Sequence, residues 1–387
     1  MDNWNQFSLE GIGEEIKEIL YSYVKAESIT YSPGEKQAES FFLSYFKNLP
    51  YWQEHPECVG TKPVKDDPFG RAAAFAMVRG KGDRTIVFVH HNDVVTVEDY
   101  DRLRPLAFSP DELEIELKKR AASFSEEIRN DLASDAYLYG RGVCDMKGGG
   151  SIQMALLRRY SELVRRSPEA LPGNLIVLAV PDEENLSAGM RAAVTLLAEL
   201  KAQYGFTYQL MINSEPHQRK DPETGVFSMG SVGKLMPFFY IRGYLAHVGK
   251  VFEGFNPMNL LSAIVQKTEV NMDLSDIVGN EAAPPPTWLF CRDRKIKYDV
   301  SMPLSAAGCL SVLTLNQTPV TLMEKVKGIC EEAFDEVLDT ALRDIPIRRP
   351  ISSSVKSRTK RRIKILCSSF GRLANASATS SLSICRS

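Results

Sequence analysis

The chain has 387 residues, too many for one small domain and enough for two. Its 44% hydrophobic and 25% charged residues are the composition of a soluble globular protein, and no apolar run approaches the length of a bilayer-spanning helix. Ten of the 47 basic residues and none of the 49 acidic ones lie from Pro346 onward, leaving 37 against 49 in residues 1–344, a net charge of −12 that argues against a nucleic-acid partner.

The N-terminus carries acids where a signal peptide would carry basic residues, and it lacks an apolar core, so a cytoplasmic protein with no membrane partner is expected. Leu9 to Val24 has apolar residues at helical spacing. Ser32-Pro33-Gly34 marks a turn before a second helix, Glu35 to Phe46. Ala72 to Val78 and Thr85 to His90, split by Gly80-Lys81-Gly82-Asp83, predict two adjacent strands. Residues 98 to 135 are polar and predict a surface excursion with a short helix. Helices over Ser151 to Val164 and Met190 to Tyr204 then alternate with strands over Asn174 to Val180 and Tyr208 to Asn213. That alternation predicts an α/β architecture: a twisted, largely parallel mixed sheet flanked by helices.

After residue 216 the texture changes. Val226 to Ile241 has extended apolar runs, and Asn256-Pro257 is a capping pair opening a helix to Val270. Pro319 to Ala341 reads as a strand fragment followed by a helix. The domain organisation expected is residues 1–231 as the first part of a catalytic metal-binding domain, 232–344 as an incomplete α+β lid domain, and 345–387 as an atypical tail. That tail is basic and serine-rich, free of acids and poor in periodicity. It is read as disordered, as a targeting segment, or as the product of a shifted reading frame, the last being favoured. The seven cysteines include no C-x-x-C pair, which fits reduced thiols.

Four segments carry chemistry, each at the end of a predicted strand or in the loop after one. In Val89-His90-His91-Asn92-Asp93, His91 and Asp93 are two apart and share a side of an extended chain, so the carboxylate can orient a metal-binding imidazole; His90 faces the other way and is structural. Gly140-Arg141-Gly142-Val143-Cys144-Asp145-Met146-Lys147-Gly148 sets Asp145 among glycines. It lacks the spacing of a phosphate-binding loop, and Cys144 has no base placed by the same motif. Asp182-Glu183-Glu184 follows an apolar strand directly; three acids there are an ordinary surface turn or a cation site. Asn213-Ser214-Glu215-Pro216 ends the next strand with another carboxylate. Ligands of open α/β sheets bind beyond the carboxyl ends of the strands. One histidine with several carboxylates suits a hydrolytic zinc or manganese site.

In their order and spacing these segments resemble the metallopeptidase superfamily of aminoacylase, carboxypeptidase G and succinyl-diaminopimelate desuccinylase, which reads H-x-D, G-R-G-x-x-D-x-K-G, D-E-E and then an acid. VFVHHNDVV, YLYGRGVCDMKGG and PPPTWLFCRDRK are similar, more narrowly, to the RocB-type arginine-utilisation branch. The resemblance implies a zinc-exopeptidase-like fold with a lid domain and two divalent metal ions, zinc or else manganese or cobalt. It implies His91, Asp145, Glu184 and Glu215 as metal ligands, with Asp145 bridging and joined to Met146 by a cis peptide. It further implies Asp93 as the orienter of His91, Glu183 as general base and acid, and His247, in Gly243-Tyr244-Leu245-Ala246-His247, as the donor that steadies a tetrahedral oxyanion. His247 has a plainer reading as a hydrogen-bonded histidine near a strand end. The function implied is hydrolysis of an amide bond in a small peptide or N-acyl amino acid, linked to arginine catabolism, by a homodimer formed through the lid.

The sequence departs from that family in one respect. Its five histidines stand at 55, 90, 91, 217 and 247, and the family's last histidine ligand has no counterpart. The competing expectation is therefore a truncated, catalytically inactive relative that acts as a binding protein.

Overall fold

The computed structural model describes residues 7–217, 223–343 and 365–370. These form two compact units, one ending at Val226 and the other beginning at Phe227. Most of the 345–387 tail lies outside the described residues. No described helix is long and apolar enough to cross a membrane.

The first unit is a five-stranded sheet with helices packed on it. Its strands are β1 (Val59–Pro63), β2 (Ala72–Arg79), β3 (Arg84–His91), β4 (Asn174–Val180) and β5 (Thr207–Asn213), in the order β1-β2-β4-β3-β5. Its helices are α1 (Ile12–Val24), α2 (Glu35–Lys47), α3 (Pro50–Glu54), α4 (Pro110–Lys119), α5 (Glu126–Ser134), α6 (Gly149–Arg166) and α7 (Ala188–Tyr204). β3 runs parallel to β4 and β5, whereas β2 is antiparallel to β1 and β4.

β2 and β3 are consecutive but not neighbours, contrary to the sequence expectation, because β4 lies between them. All seven β4 residues are buried. A strand apolar on both faces belongs in the middle of a covered sheet, and that demand overrides the pairing suggested by the short Gly80–Asp83 link. Helices α2, α6 and α7 pack on the sheet and α1 packs on α6. Phe42, Phe46, Trp52, Met77, Met154 and Leu157 are fully buried within this core.

The excursion over residues 98–135 holds two α-helices, α4 and α5, where the sequence predicted one. The Asp145–Met146 peptide is cis, as the resemblance implied.

The second unit is α+β. Strands β6 (Gly233–Arg242), β9 (Thr287–Asp293), β10 (Ser305–Thr314) and β11 (Ile365–Phe370) form an antiparallel sheet in the order β11-β6-β10-β9, and β7 (Ile277–Val278) pairs with β8 (Glu281–Ala282). Helices α8 (Pro257–Thr268) and α9 (Pro319–Arg343) pack together, with α8 against the sheet. Asn256 caps α8 by accepting the Met258 N–H at 3.0 Å, as Asn-Pro predicted.

Pro319 to Arg343 is helical throughout, which corrects the expected strand fragment. Val320 and Thr321 have strand-like side chains, yet Thr318 Oγ1 accepts the Thr321 N–H at 3.2 Å and starts a helix. Leu322, Val326, Cys330 and Ala333 then fall on its buried face.

Gly150 lets α6 approach β3 closely. A Cβ there would lie 2.6 Å from Cδ2 of the buried His90 ring. Gly150→Ala is expected to destabilise the protein by about 1–3 kcal/mol through overpacking, measured by urea unfolding; an unshifted midpoint would show that the His90 ring can yield.

Candidate metal centre

β3 and β4 deliver their side chains at the same end of the sheet because they run parallel and in register, His91 beside Val180. β5 pairs with the other side of β3 and brings Asn213 beside Val89. The residues after each strand therefore meet at one rim: Asn92-Asp93 after β3, Asp182-Glu183-Glu184 after β4, and Ser214-Glu215 after β5. Asp145 arrives on the irregular turn that leads into α6.

His91 is the buried centre of this rim. Its Nδ1 donates to the Asp93 carbonyl oxygen at 2.9 Å and lies 3.6 Å from the Asp93 carboxylate. Its Nε2 lies 2.9 Å from Asp145 Oδ1 and 3.5 Å from Glu215 Oε1. Two overlapping groups of ligand atoms result, His91 with Asp145 and Glu215, and His91 with Glu183 and Glu184, all within 4.8 Å of one another inside each group.

Asp93 is fully buried and does more than face the imidazole. Its two oxygens accept the backbone N–H groups of Glu183 and Glu184 at 3.0 and 3.1 Å. Burial would raise its pKa, but His91 and these amides outweigh that and hold it below the ordinary range.

The other carboxylates feel their crowding. Desolvation, then repulsion from Asp145, pushes Glu184 up to about 7 against the pull of His91. Glu183 is also raised, first by desolvation and then by Glu215, Asp93 and Asp145, again against His91. Glu215 is lowered by its hydrogen bond to His91, against desolvation. Burial disfavours a charged His91, yet the hydrogen bonds and charges of Asp93 and Glu215 prevail and raise it to about 11.

The donor set fits divalent cations. One imidazole and several carboxylates converge, and His91 Nε2 and Asp145 face each other across a span that a cation can bridge. The residues that could hold an ion are His91 with Asp145 and Glu215, and His91 with Glu183 and Glu184.

Four buried residues that the sequence reading did not single out, Gln153, Lys147, Arg71 and Glu35, lie around the rim with His90, which it read as structural. Gln153 on α6 donates to the Val89 carbonyl at 2.9 Å and to Ser214 Oγ at 3.0 Å, and its Oε1 accepts from His90 Nδ1 at 2.9 Å. His90, whose Nε2 accepts from Tyr23 at 3.1 Å, is neutral because burial pushes it down to about 4. The buried Lys147 donates to the Ala26 carbonyl at 2.8 Å. Arg71 and Glu35 contact Asp182 at the start of the acidic loop. Gln153, Arg71 and Glu35 act on groups far along the chain, and no short motif marks them.

His247 lies in the second unit, exposed, where Nδ1 accepts the Gly249 N–H at 3.0 Å. His55 is exposed on a loop, with Nδ1 3.8 Å from Glu57. His217 is exposed just past Glu215. Cys144 is an exposed free thiol.

Residues 87–348 match the sequence profile of peptidase family M20/M25/M40. The chain belongs to that family. It is 34% identical over 328 residues to the uncharacterised protein YqjN of Bacillus subtilis, and 30% identical over 328 residues to protein RocB of the same organism; each alignment takes in 84% of this chain. The M20 chain spans only 58% of the length of YqjN and 57% of that of RocB. Its fold is similar to that of the M20 family metallo-carboxypeptidase Sso-CP2 from Sulfolobus solfataricus, with a TM-score of 0.55 at 15% identity over 83% of this chain and 76% of that one.

The raised pKa of His91 has a visible consequence in the metal-free protein. The ring should stay protonated at pH 8 and lose its proton only as the pH climbs toward 11. Its contribution to stability is then complete below the ordinary histidine pKa of about 6.5 and lost as pH rises through the folded value. Histidine ring NMR checks this: a His91 resonance titrating near neutrality would mean that Asp93 and Glu215 do not control it.

Proposed function

We propose that this M20 chain is a co-catalytic metallohydrolase that cleaves the amide bond of a small peptide or an N-acyl amino acid in the cytoplasm. The observation that carries this reading is the pair of ligand groups sharing His91 at the carboxyl ends of β3, β4 and β5. The RocB-type segments support a link between this activity and arginine catabolism, without naming the substrate.

Divalent cations at such a site supply Lewis acidity, which polarises a carbonyl and makes a water acidic at neutral pH. His91, Asp145 and Glu215 would bind one cation, and Asp145 and Glu184 the second, with zinc favoured over manganese or cobalt. Asp93 would keep the His91 ring oriented for a cation, and it fixes the two glutamates through their amides. Glu183 is the general base. Its carboxylate takes the proton of the attacking water and gives it to the departing amine, and its raised pKa suits both transfers.

In the second unit His247 is assigned to the developing oxyanion. Because Nδ1 accepts a hydrogen bond from Gly249, the proton of the neutral ring sits on Nε2, free to donate. That unit, roughly residues 232–344, is read as the lid and the dimer-forming domain.

Glu183→Gln should lower kcat on N-acyl amino acids or dipeptides by about 10²–10⁴-fold or more while leaving zinc content, measured by mass spectrometry, unchanged. Turnover at the wild-type rate would remove Glu183 from its role. His91→Ala should instead reduce bound zinc, and undiminished occupancy would remove it from the site. A wild-type chain that folds but retains no metal after dialysis would favour the non-catalytic binding protein.

A further inference from the structure

Three consecutive backbone N–H groups hold the acidic loop, and each donates to a buried carboxylate. Glu183 and Glu184 donate to Asp93, as described, and Asp182 donates to Oε2 of Glu35 at 2.8 Å. Glu35 begins α2 and is only 1% exposed. Its other oxygen accepts from Arg71 Nη1 at 2.6 Å, and the same nitrogen donates to Asp182 Oδ1 at 2.7 Å. Arg71 is itself steadied by Asp67, which accepts from Nε at 2.9 Å and from Nη2 at 2.6 Å.

Asp182 adopts a left-handed backbone, φ 69°, which disfavours a residue with a side chain by roughly 1–2 kcal/mol. Its carboxylate supports that turn by accepting the Ala188 N–H at 3.0 Å and the Asn185 amide at 3.2 Å. Three carboxylates thus surround one guanidinium almost out of solvent. Apolar residues of similar volume commonly stabilise a fold as well as or better than such a cluster. What the cluster supplies is direction: a charged acceptor fixes the position of the peptide that enters Glu183 and Glu184.

We propose that Glu35, oriented by Arg71, is a positioning residue for Glu183 and Glu184, acting through the Asp182 N–H as the second fixed point of the loop beside Asp93. This rests on the metallohydrolase reading. In that reading one of the two glutamates binds an ion and the other moves the proton, so a small displacement of their shared peptide disturbs both.

The test compares two like substitutions on one helix. Glu35→Gln leaves one acceptor oxygen where three donors converge, Arg71 and the N–H groups of Ser32 and Asp182, and turns an amide N–H₂ toward at least one of them. Glu39→Gln makes the same change at a residue of α2 that is also buried; its carboxylate accepts from the Ala72 N–H at 3.1 Å and from Lys36 at 2.7 Å, with no hydrogen bond to residues 182–184 among the described residues. Each full chain is titrated with Co(II), followed by visible absorption, and unfolded in urea.

Glu35→Gln is expected to weaken Co(II) binding by about 10–100-fold, to alter the visible bands, and to lower kcat more than it changes KM. Glu39→Gln should keep wild-type Co(II) binding whatever its urea midpoint. Wild-type affinity and spectrum in Glu35→Gln would overturn the proposal, as would parallel losses in both variants that follow their losses of stability. Failure of the wild type to bind Co(II) would instead overturn the metallohydrolase reading, and this proposal with it. Should Glu35→Gln not fold, Glu35→Asp keeps the charge beside Arg71 but draws the carboxylate back by one methylene, and the same two readings apply to it.

Discussion

The buried carboxylate of Asp93 is the interaction on which the rim of the first unit depends. It stands beside His91 and accepts the amides of Glu183 and Glu184, so it joins the end of β3 to the loop after β4. A neutral side chain in its place could not satisfy two converging N–H groups and an imidazole edge together. Buried and unpaired, each of those donors would cost about 1–3 kcal/mol. The burial that makes Asp93 hard to ionise is overcome by the same three partners. Loop position, imidazole orientation and carboxylate charge are therefore one arrangement.

Parallel pairing makes that arrangement reachable. β3 and β4 run the same way and in register, so their carboxyl ends stop at the same level and the residues beyond them meet. The position of β4 follows from its side chains, since seven buried residues in a row leave no face for water. Placing that strand in the centre separates β2 from β3 and brings Asp182, Glu183 and Glu184 beside His91, which stands about 90 residues away along the chain.

Long, strongly periodic elements were legible in the sequence. The apolar stripes of α1 and α2 repeat at helical spacing and mark both helices to within a few residues of their observed bounds. β1 escaped notice because Val-Gly-Thr-Lys-Pro has neither alternation nor apolar weight. β10 escaped because Ala306, Ala307 and Gly308 are small, although the strand is central to its sheet and mostly buried. At the start of α9 the local signal points the wrong way, since Val320 and Thr321 favour strands in isolation while the packing face favours the helix. The site shows the same division. His91, Glu183, Glu184 and Glu215 lie in short motifs that follow strands and Asp145 in a glycine-rich turn before α6, so each motif stands out in the sequence. Glu35, Arg71 and Gln153 do not, since each acts on a group far along the chain, and one sequence carries no record of such pairing.

The charge on the rim explains why these residues suit cations better than a purely structural role. Asp93, Asp145, Glu183, Glu184 and Glu215 gather around a single histidine. Repulsion and desolvation raise Glu183 and Glu184 even though His91 pulls both down. A fold gains nothing from carboxylates that resist ionisation beside one another, and apolar residues on this rim would pack without that penalty. The arrangement becomes favourable when positive charge enters it. Without metal, the His91 proton is the positive charge available at the centre, which is why the surrounding carboxylates hold it so firmly. One proton cannot balance five carboxylates, whereas divalent cations would do so while using the oxygens already directed inward. Supports that hold Glu183 and Glu184 in place against their mutual repulsion, Asp93 from one strand end and Glu35 from α2, are then what such a centre requires before any ion arrives.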